Sequence, residues 1–510
     1  MVAHITTVAF NGIEAHPVDV QVMISPGKMG ISIVGLADKA VAESKERIQA
    51  ALHATGLSMP VKKVTVNLAP ADLPKEGSHY DLPIAVGLMV AMGIIPSDMV
   101  EQFVILGELS LDGTIAAVNG VLPAGMGAVA LGKGLICPEA CGGEAAWASA
   151  DMELLAPYSL LALVNHCKGS QVLSRPKPVL LTDNTKLPDL SDIKGQAPAK
   201  RALEVAAAGH HNLLFVGPPG AGKSMLAERL QSILPPLDPR ELLDVSLIKS
   251  IAGKMDGQVS LHRPFRSPHH STSMAAMVGG GLKARPGEIS LAHNGVLFLD
   301  EFPEFSPQVL DSLRQPLETG QCTIARANHH VKYPARFQLV AAMNPCRCGM
   351  AGEPGHVCAR GPRCQTDYQA RISGPLLDRI DLRIDVPALT ANDLMRSEKA
   401  ETSAVVAGRV AAAREMQKRR YAAIGVDGIR TNGECPAAII ENIAQLDGPS
   451  QKLIRDISEK MRLSARAYHR VLKVARTIAD LSTSEKIGRV HVAEAVSYRL
   501  GSERMVALAS

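Results

Sequence analysis

Aromatic side chains are scarce in this sequence: 3% of the chain, with a single tryptophan, Trp147. Single-stranded nucleic acid held by base stacking needs a series of aromatic faces, so an extended stacking platform is excluded. Charge of one sign is also missing. The 54 Lys+Arg and 50 Asp+Glu leave +4 over 510 residues, so the overall balance neither demands nor forbids a nucleic-acid partner, and the local distribution has to decide. Long apolar runs are absent as well. The longest, Ile84 to Pro96, is interrupted by Gly87 and Gly93 and falls short of the roughly 20 residues that span a bilayer. Met1 to Phe10 shows no basic segment leading into an apolar core, so no signal peptide is expected. The expectation is a cytoplasmic protein without a membrane partner.

What is present is an ordinary globular balance, 46% hydrophobic and 20% charged, with length for two to four domains. Residues 1–170 read as a mixed α/β domain, with β-rich runs at Val18–Ile24, Ile31–Val34, Lys63–Asn67 and Phe103–Gly107 and helical stretches at Lys39–Thr55 and near Leu82–Met92. Pro176, Pro178 and Pro188 mark residues 171–190 as a linker, because proline resists helix and sheet interiors. In 191–387 short apolar strands at Leu213–Val216, Val296–Leu299 and Gln338–Ala342 alternate with helices, the pattern of a doubly wound parallel sheet. Residues 388–510 read as helical, with Leu463, Ala467, Val471, Val474, Ile478 and Leu481 on one face.

The first strand of that sheet runs into Gly217-Pro218-Pro219-Gly220-Ala221-Gly222-Lys223-Ser224 and then a helix, which is the P-loop pattern in its proper context. Glycines let the backbone curl its N–H groups toward phosphates, and the helix N-terminus adds partial positive charge. The expected ligands are ATP and Mg²⁺, with Lys223 on the β- and γ-phosphates and Ser224 on the metal. The second strand ends in Asp300 and Glu301. Asp300 is expected to hold the Mg²⁺ shell, and Glu301 to act as general base on the attacking water.

These motifs resemble AAA+ ATPases, in particular the magnesium-chelatase-related branch, which Gly195-Gln196 followed by Arg201-Ala-Leu-Glu-Val-Ala-Ala-Ala-Gly-His also resembles. The resemblance implies further roles. Asn344, in Ala-Ala-Met-Asn-Pro, matches the polar sensor of the γ-phosphate. Arg379, in Ser373-Gly-Pro-Leu-Leu-Asp-Arg-Ile-Asp, matches the arginine finger that reaches a neighbouring subunit's nucleotide. Arg466 matches the second sensor of the helical lid, with Arg470 one turn further on as the alternative. A finger acting between subunits implies an oligomer, usually a hexamer in this family.

Nine cysteines are present, and Cys346, Cys348, Cys358 and Cys364 fall within nineteen residues. Four thiolates satisfy tetrahedral Zn²⁺ and close its shell, which argues for a structural rather than a catalytic metal. The insert, 345–365, has almost no apolar residues, so bound zinc is expected to supply most of its folding energy. His356 is an alternative ligand, and four reduced thiols are the bland alternative. Cys137, Cys141, Cys167, Cys322 and Cys435 read as isolated thiols.

The N-terminal segments Val66-Asn-Leu-Ala-Pro-Ala-Asp-Leu-Pro-Lys-Glu-Gly-Ser-His-Tyr-Asp-Leu-Pro-Ile-Ala and Leu106-Gly-Glu-Leu-Ser-Leu-Asp-Gly resemble the Lon-protease-like domain, which implies a ribosomal S5 domain 2-like α+β fold. The serine nucleophile of the protease falls on His79 here, and its lysine on Leu122, with Ser78 one residue out of register. A serine–lysine dyad needs both groups, so no peptidase activity is expected.

Two basic stretches bear on the substrate. Arg326-Ala-Asn-His329-His330-Val-Lys332-Tyr-Pro-Ala-Arg336 lies where the related branch places a hairpin in the ring pore, and Arg326, His329, His330 and Lys332 are candidate phosphate contacts. His262-Arg-Pro-Phe-Arg266-Ser-Pro-His-His-Ser-Thr has similar character. Solvated loops or subunit contacts are the competing reading for both. Gln451 to Leu500 carries 11 Lys+Arg against 5 Asp+Glu. The order of parts resembles the YifB/ComM family over nearly the whole chain. That resemblance implies a hexameric DNA helicase driving branch migration of incoming single-stranded DNA during natural transformation. Its implied partners are single-stranded and branched DNA, with the recombinase machinery alongside. A chelatase-like motor remodelling a protein partner is the alternative.

Overall fold

The computed structural model describes residues 2–179, 187–255, 259–281, 284–325, 330–349, 363–389, 400–426 and 428–500, together with Ala351, Cys358, Gly361 and Met395. Its N-terminal part is built on a long hairpin, Val2–Asn11 against Glu14–Ser25, registered from Asn11↔Glu14 to Val2↔Met23. Alternate residues of both strands are buried, the period-two signature of a sheet with one face on a core. Lys63–Ala69 and Gly30–Val34 extend the sheet on one side, and Phe103–Ile105, Gly134–Ile136 and Leu154–Leu155 on the other, giving seven strands. The long apolar run becomes the Asp81–Ala91 helix, buried along nearly its whole length. A helix buried on all sides shows no polar face, which is why the run is continuous.

The second sheet is parallel throughout, in the order Phe265–Arg266, Val296–Leu299, Gln338–Met343, Leu213–Val216, Leu382–Asp385. Alternate residues enter two separate cores. Leu213, Phe215, Val296, Phe298, Val340 and Ala342 pack on one face, while Leu214, Val216, Leu297, Leu299, Leu339 and Ala341 pack on the other. Coverage on both faces explains the unbroken apolar strands. The two outer strands escape sequence reading because Phe265–Arg266 is two residues long and Leu382–Asp385 alternates with charge.

The C-terminal part is helical. The expected face of the Ala465–Leu481 helix, through Ala467, Val471, Val474 and Ile478, is buried. It joins the first of the two cores above. A polar network pins it there: His211 Nε2 lies 2.8 Å from Thr477 Oγ1, and Asn432 Nδ2 donates to Thr477 Oγ1 at 3.0 Å and to Asp480 at 2.9 Å. The N-terminal part meets the parallel-sheet part directly. Gly120 N donates to Ser250 O at 3.1 Å, and Ile13 and Ile251 pack against the second core. Among the described residues, no helix is long and apolar enough to cross a membrane.

One buried histidine predicts a pH response. His293 is 4% exposed, and its Nδ1 accepts from the Arg336 N–H at 3.0 Å. Burial, reinforced by the Arg336 charge, pushes its pKa down to about 3. The folded chain keeps the ring neutral where the unfolded chain protonates it, near the ordinary value of about 6.5. Its contribution to stability is therefore complete above about pH 6.5 and is lost as pH falls toward 3, by at most about 1.4 kcal/mol per pH unit. His293→Asn keeps an acceptor for Arg336 without titrating. The expected result is a shallower fall of Tm between pH 6.5 and 5 than in the parent chain.

Candidate nucleotide site, arginine cluster and thiolate cluster

Three strands deliver the nucleotide site to one edge of the parallel sheet. Leu213–Val216 ends in the P-loop, Val296–Leu299 in Asp300 and Glu301, and Gln338–Met343 in Asn344. Gly217 N donates to Met343 O at 3.2 Å, tying the loop to the neighbouring strand. A Cβ on Gly217 would stand 2.1 Å from Val386 O, so only glycine lets the chain pass there. Gly220 and Gly222 have φ of 77° and 89°, in the left-handed region, and the Lys223–Ile233 helix starts immediately after them.

The side chains converge as their types demand. Lys223 is 8% exposed, and its Nζ donates to Gly217 O and Pro218 O at 2.7 Å and to Asn344 Oδ1 at 3.1 Å. Burial lowers its pKa, and Asp300 opposes that shift. Ser224 Oγ donates to Asp300 Oδ2 at 2.6 Å, so the two expected Mg²⁺ ligands already touch. Glu301 is more exposed, with φ 50°, and its Oε2 lies 3.1 Å from His270 Nδ1. The cavity these groups line measures about 340 Å³ and includes Met225 and Met343. Gln196 links the P-loop to the chain beyond the last strand, donating to Ala221 O at 3.4 Å and to Pro387 O at 2.8 Å. Sequence reading placed His270 only within the second basic stretch and attached no role to Met225. Strand pairing places the first and helix phase the second, and neither is visible in a local motif.

Arg379 lies at the opposite edge. The strand that follows it runs parallel to the P-loop strand, with Leu213↔Leu382 and Val216↔Asp385 in register. Arg379 precedes the start of that pair and Gly217 follows its end, so the guanidinium is about a strand length, roughly 10 Å or more, from its own P-loop. It is 7% exposed, bonded to Arg314 O and Pro375 O and paired with Glu318 at 2.5 Å. Arg466 approaches the same Glu318 at 3.8 Å and lines a small cavity with Arg379, Arg470 and Lys473. It is thus placed with Arg379 and away from the P-loop cavity of its own chain. Arg470 is engaged with Asp381 and with Arg379 O. Burial first, then the charges of Arg314, Arg466 and Arg470, hold Arg379 below its ordinary value despite Glu318. Arg379 and Arg466 thus share the half-exposed Glu318, with Asp378 also lining the cavity.

The four cysteines of the insert come together, with all four Sγ atoms within 4.8 Å of one another. Cys346 and Cys348 are 2.9 Å apart, and Cys348 and Cys358 3.3 Å. A tetrahedral shell with Zn–S near 2.3 Å needs S···S separations of about 3.8 Å, so the set fits a metal after small adjustments. The insert abuts the nucleotide site: a Cβ on Gly349 would meet Pro219 Cδ at 2.7 Å. His356 lies outside the described residues. The other five cysteines are all buried.

The expected hairpin is present, Gln321–Ala325 against His330–Pro334. His330 and Lys332 are exposed on it, while Arg326 and His329 lie outside the described residues. In the second basic stretch, Arg263 pairs with Glu241 at 2.6 Å and Arg266 forms a two-pronged pair with Glu288 at 2.6 and 2.8 Å. Those two arginines are committed within the chain. In the N-terminal part, Leu122 is fully buried, and the Ser78 hydroxyl donates to Glu108 in a cavity of about 430 Å³ that no lysine among the described residues lines.

Comparison with known proteins fixes the relationship. Magnesium chelatase subunit ChlI profiles match residues 20–141 and 189–394, and the profile of its C-terminal part matches 400–499. The chain is 42% identical over 503 residues to YifB of Salmonella typhimurium, covering 98% of this chain and 97% of that one. It is 43% identical over 498 residues to competence protein ComM of Haemophilus influenzae, covering 96% and 95%. The chain belongs to the YifB/ComM family. A more distant likeness, 26% over 193 residues, reaches the magnesium-chelatase 67 kDa subunit of Heliobacterium mobile, covering 32% of this chain and 29% of that one. The parallel sheet with its P-loop is the AAA+ core of the magnesium-chelatase type, and this family implies ATP and Mg²⁺.

Proposed function

We propose that this chain is an ATP-driven hexameric ring motor that works on DNA, promoting branch migration as incoming single-stranded DNA recombines during natural transformation. The observation that carries the motor reading is the split between the two sheet edges. Lys223, Ser224, Asp300 and Asn344 assemble one half of a hydrolytic site. The arginines that would complete it stand at the other edge, out of reach of this chain's own P-loop, which supports their acting on a neighbouring subunit.

In this reading Lys223 binds the β- and γ-phosphate oxygens, and Ser224 and Asp300 hold the Mg²⁺, which supplies charge neutralisation when bound. Glu301 takes a proton from the attacking water, and Asn344 orients the γ-phosphate. Arg379, with Arg466 beside it, stabilises the charge that develops on the neighbour's phosphoryl group. Cys346, Cys348, Cys358 and Cys364 would hold a structural Zn²⁺ and so keep the insert against Pro219. The N-terminal part is a Lon-like domain that serves as a structural or DNA-contacting ring.

Support for DNA as the substrate comes from the exposed His330 and Lys332 on the hairpin, from Arg326 and His329 in its connection, and from the relative that is a competence protein. The test is ATP-dependent branch migration on synthetic three- and four-stranded junctions. The parent chain is expected to resolve them and Lys223→Ala to leave them intact. Arg326→Ala/Lys332→Ala is expected to keep ATPase activity while losing migration and lowering the salt slope of DNA binding by about two. ATP hydrolysis without migration on any junction sinks the DNA assignment and favours a chelatase-like motor on a protein partner.

A further inference from the structure

The hairpin Gln321–Ala325/His330–Pro334 stands apart from the parallel sheet, because among the described residues its two strands pair only with each other. A two-stranded hairpin is marginal by itself, so what it rests on decides where it points. Alternation divides its faces. Cys322, Ile324, Val331 and Tyr333 are buried, while Thr323, His330 and Lys332 are exposed. Tyr333 Oη donates to Ala284 O at 3.0 Å and Cys322 Sγ to Val278 O at 3.3 Å. These bonds seat the buried face beside the small ribbon Gly279–Gly280/Arg285–Pro286.

The second strand is also met from outside the ATPase core. The long N-terminal hairpin turns at Gly12-Ile13, with Asn11↔Glu14 as its last pair, and this turn abuts His330–Pro334. Gly12 is buried, with φ 67°. A Cβ there would stand 2.8 Å from Lys332 O and 3.4 Å from Val331 Cγ1, an approach that glycine permits. Ile13 packs onto the core that holds Val331 and Tyr333. The contact is narrow, because cavities of about 750 and 430 Å³ flank it, each lined by residues of both hairpins. It leaves the Lys332 side chain exposed. The turn has a firm base. Ten registered pairs join its two strands, a ribbon about 30 Å long. The N-terminal part is fastened to the end of the Pro239–Ala252 helix, where Gly120 N donates to Ser250 O at 3.1 Å. A Cβ on Gly253 would stand 2.7 Å from Asn119 Oδ1, so that junction is closely packed.

We propose that the Gly12-Ile13 turn is a strut for this hairpin, through which the N-terminal part holds His330 and Lys332 against the DNA that the motor moves. Gly12 and Ile13 are positioning residues that act through the hairpin backbone. The proposal rests on the reading of the hairpin as a DNA contact. The hairpin leads into the start of the strand whose far end carries Asn344, so it lies at the edge opposite the nucleotide site. Loosening it should uncouple DNA movement from ATP turnover without stopping turnover.

The experiment uses the full chain with Ile13→Asp, which puts a charge where the turn packs, and Ile13→Val, which keeps the packing. Hydrogen exchange at the Val331, Lys332 and Tyr333 amides reads the hairpin; branch migration and ATP turnover read the motor. In Ile13→Asp those amides are expected to exchange about ten-fold faster, with exchange in the Val296–Leu299 strand unchanged. Migration is expected to fall about ten-fold while basal ATP turnover stays within about two-fold of the parent. Ile13→Ala trims the same contact without a charge and is expected to give the same pattern at about three-fold, which keeps the test open if Ile13→Asp misfolds. Ile13→Val is expected to match the parent. Unchanged hairpin exchange, parental migration despite faster exchange, or ATP turnover that falls in step with migration overturns the strut. Migration retained in Arg326→Ala/Lys332→Ala overturns the DNA reading of the hairpin alone, and the exchange measurement still reads the strut.

Discussion

Two variants that are each inactive in ATP hydrolysis are expected to regain turnover when mixed. Lys223→Ala removes the amine proposed to bind phosphate, which is buried against Gly217, Pro218 and Asn344. Arg379→Ala removes a guanidinium from the far edge of the same sheet. Loss of a finger arginine lowers phosphoryl-transfer rates by about 10³ to 10⁵, so either variant alone should be close to silent. Parallel pairing of Leu213–Val216 with Leu382–Asp385 keeps Arg379 away from its own P-loop. It acts, in the proposed ring, on the next subunit. In a random one-to-one mixture, an intact P-loop from the Arg379→Ala chain faces an intact Arg379 from the Lys223→Ala chain at roughly a quarter of the head-to-tail interfaces. The expected recovery is therefore about a quarter of the parental rate, read by coupled ATPase assay after subunit exchange. A mixture that stays silent despite demonstrated exchange rejects the split site. The same experiment with Arg466→Ala in place of Arg379→Ala asks whether the lid arginine that shares Glu318 works from the same side.

The second large effect is expected at the thiolate cluster. With four sulfurs within 4.8 Å of one another, the chain should carry about one zinc per subunit, and a Cys346→Ser/Cys364→Ser variant should carry none. Structural zinc contributes about 10 to 16 kcal/mol of folding free energy in small zinc-dependent units. Its removal by a chelator should therefore open the insert to limited proteolysis. The consequence should reach catalysis, because Cys346 lies two residues past Asn344 and Gly349 is packed on Pro219 of the P-loop. Misplacing catalytic groups by about 1 Å costs about 10²-fold in rate, and a fall of that order in ATP turnover is the expected result. Zinc measured at the parental level in the double variant, or full activity after verified metal loss, excludes the assignment.

Much of the nucleotide site is legible without coordinates. The P-loop is a contiguous motif whose chemistry depends on its own eight residues and on the strand and helix that flank it. Asp300 and Glu301 are legible because the unbroken apolar tetrad Val296–Leu299 marks a strand leaving a doubly covered sheet, and Asn344 because Ala-Ala-Met-Asn-Pro resembles the sensor segment of the related branch. The apolar face of the Ala465–Leu481 helix follows from its period, and the four clustered cysteines from their spacing. All of these are short-range signals.

Strand order is not a short-range signal. Nothing local places Phe265–Arg266 beside Val296–Leu299, yet that pairing brings His270 to Glu301. Nothing local says that Leu382–Asp385 runs parallel to the P-loop strand, yet that register puts Arg379 at the far edge with Glu318 and Arg466. The likeness of Arg263 and Arg266 to a phosphate-binding loop also yields to tertiary structure, because Glu241 and Glu288 are supplied by distant segments. The sequence by itself determined which residues are candidates for the chemistry, because loops that bind phosphate and strands buried on both faces constrain their own composition. Only the tertiary structure decided which of those residues share one edge of the sheet and which stand at the other, because sheet order and register are set by packing between segments far apart in the chain.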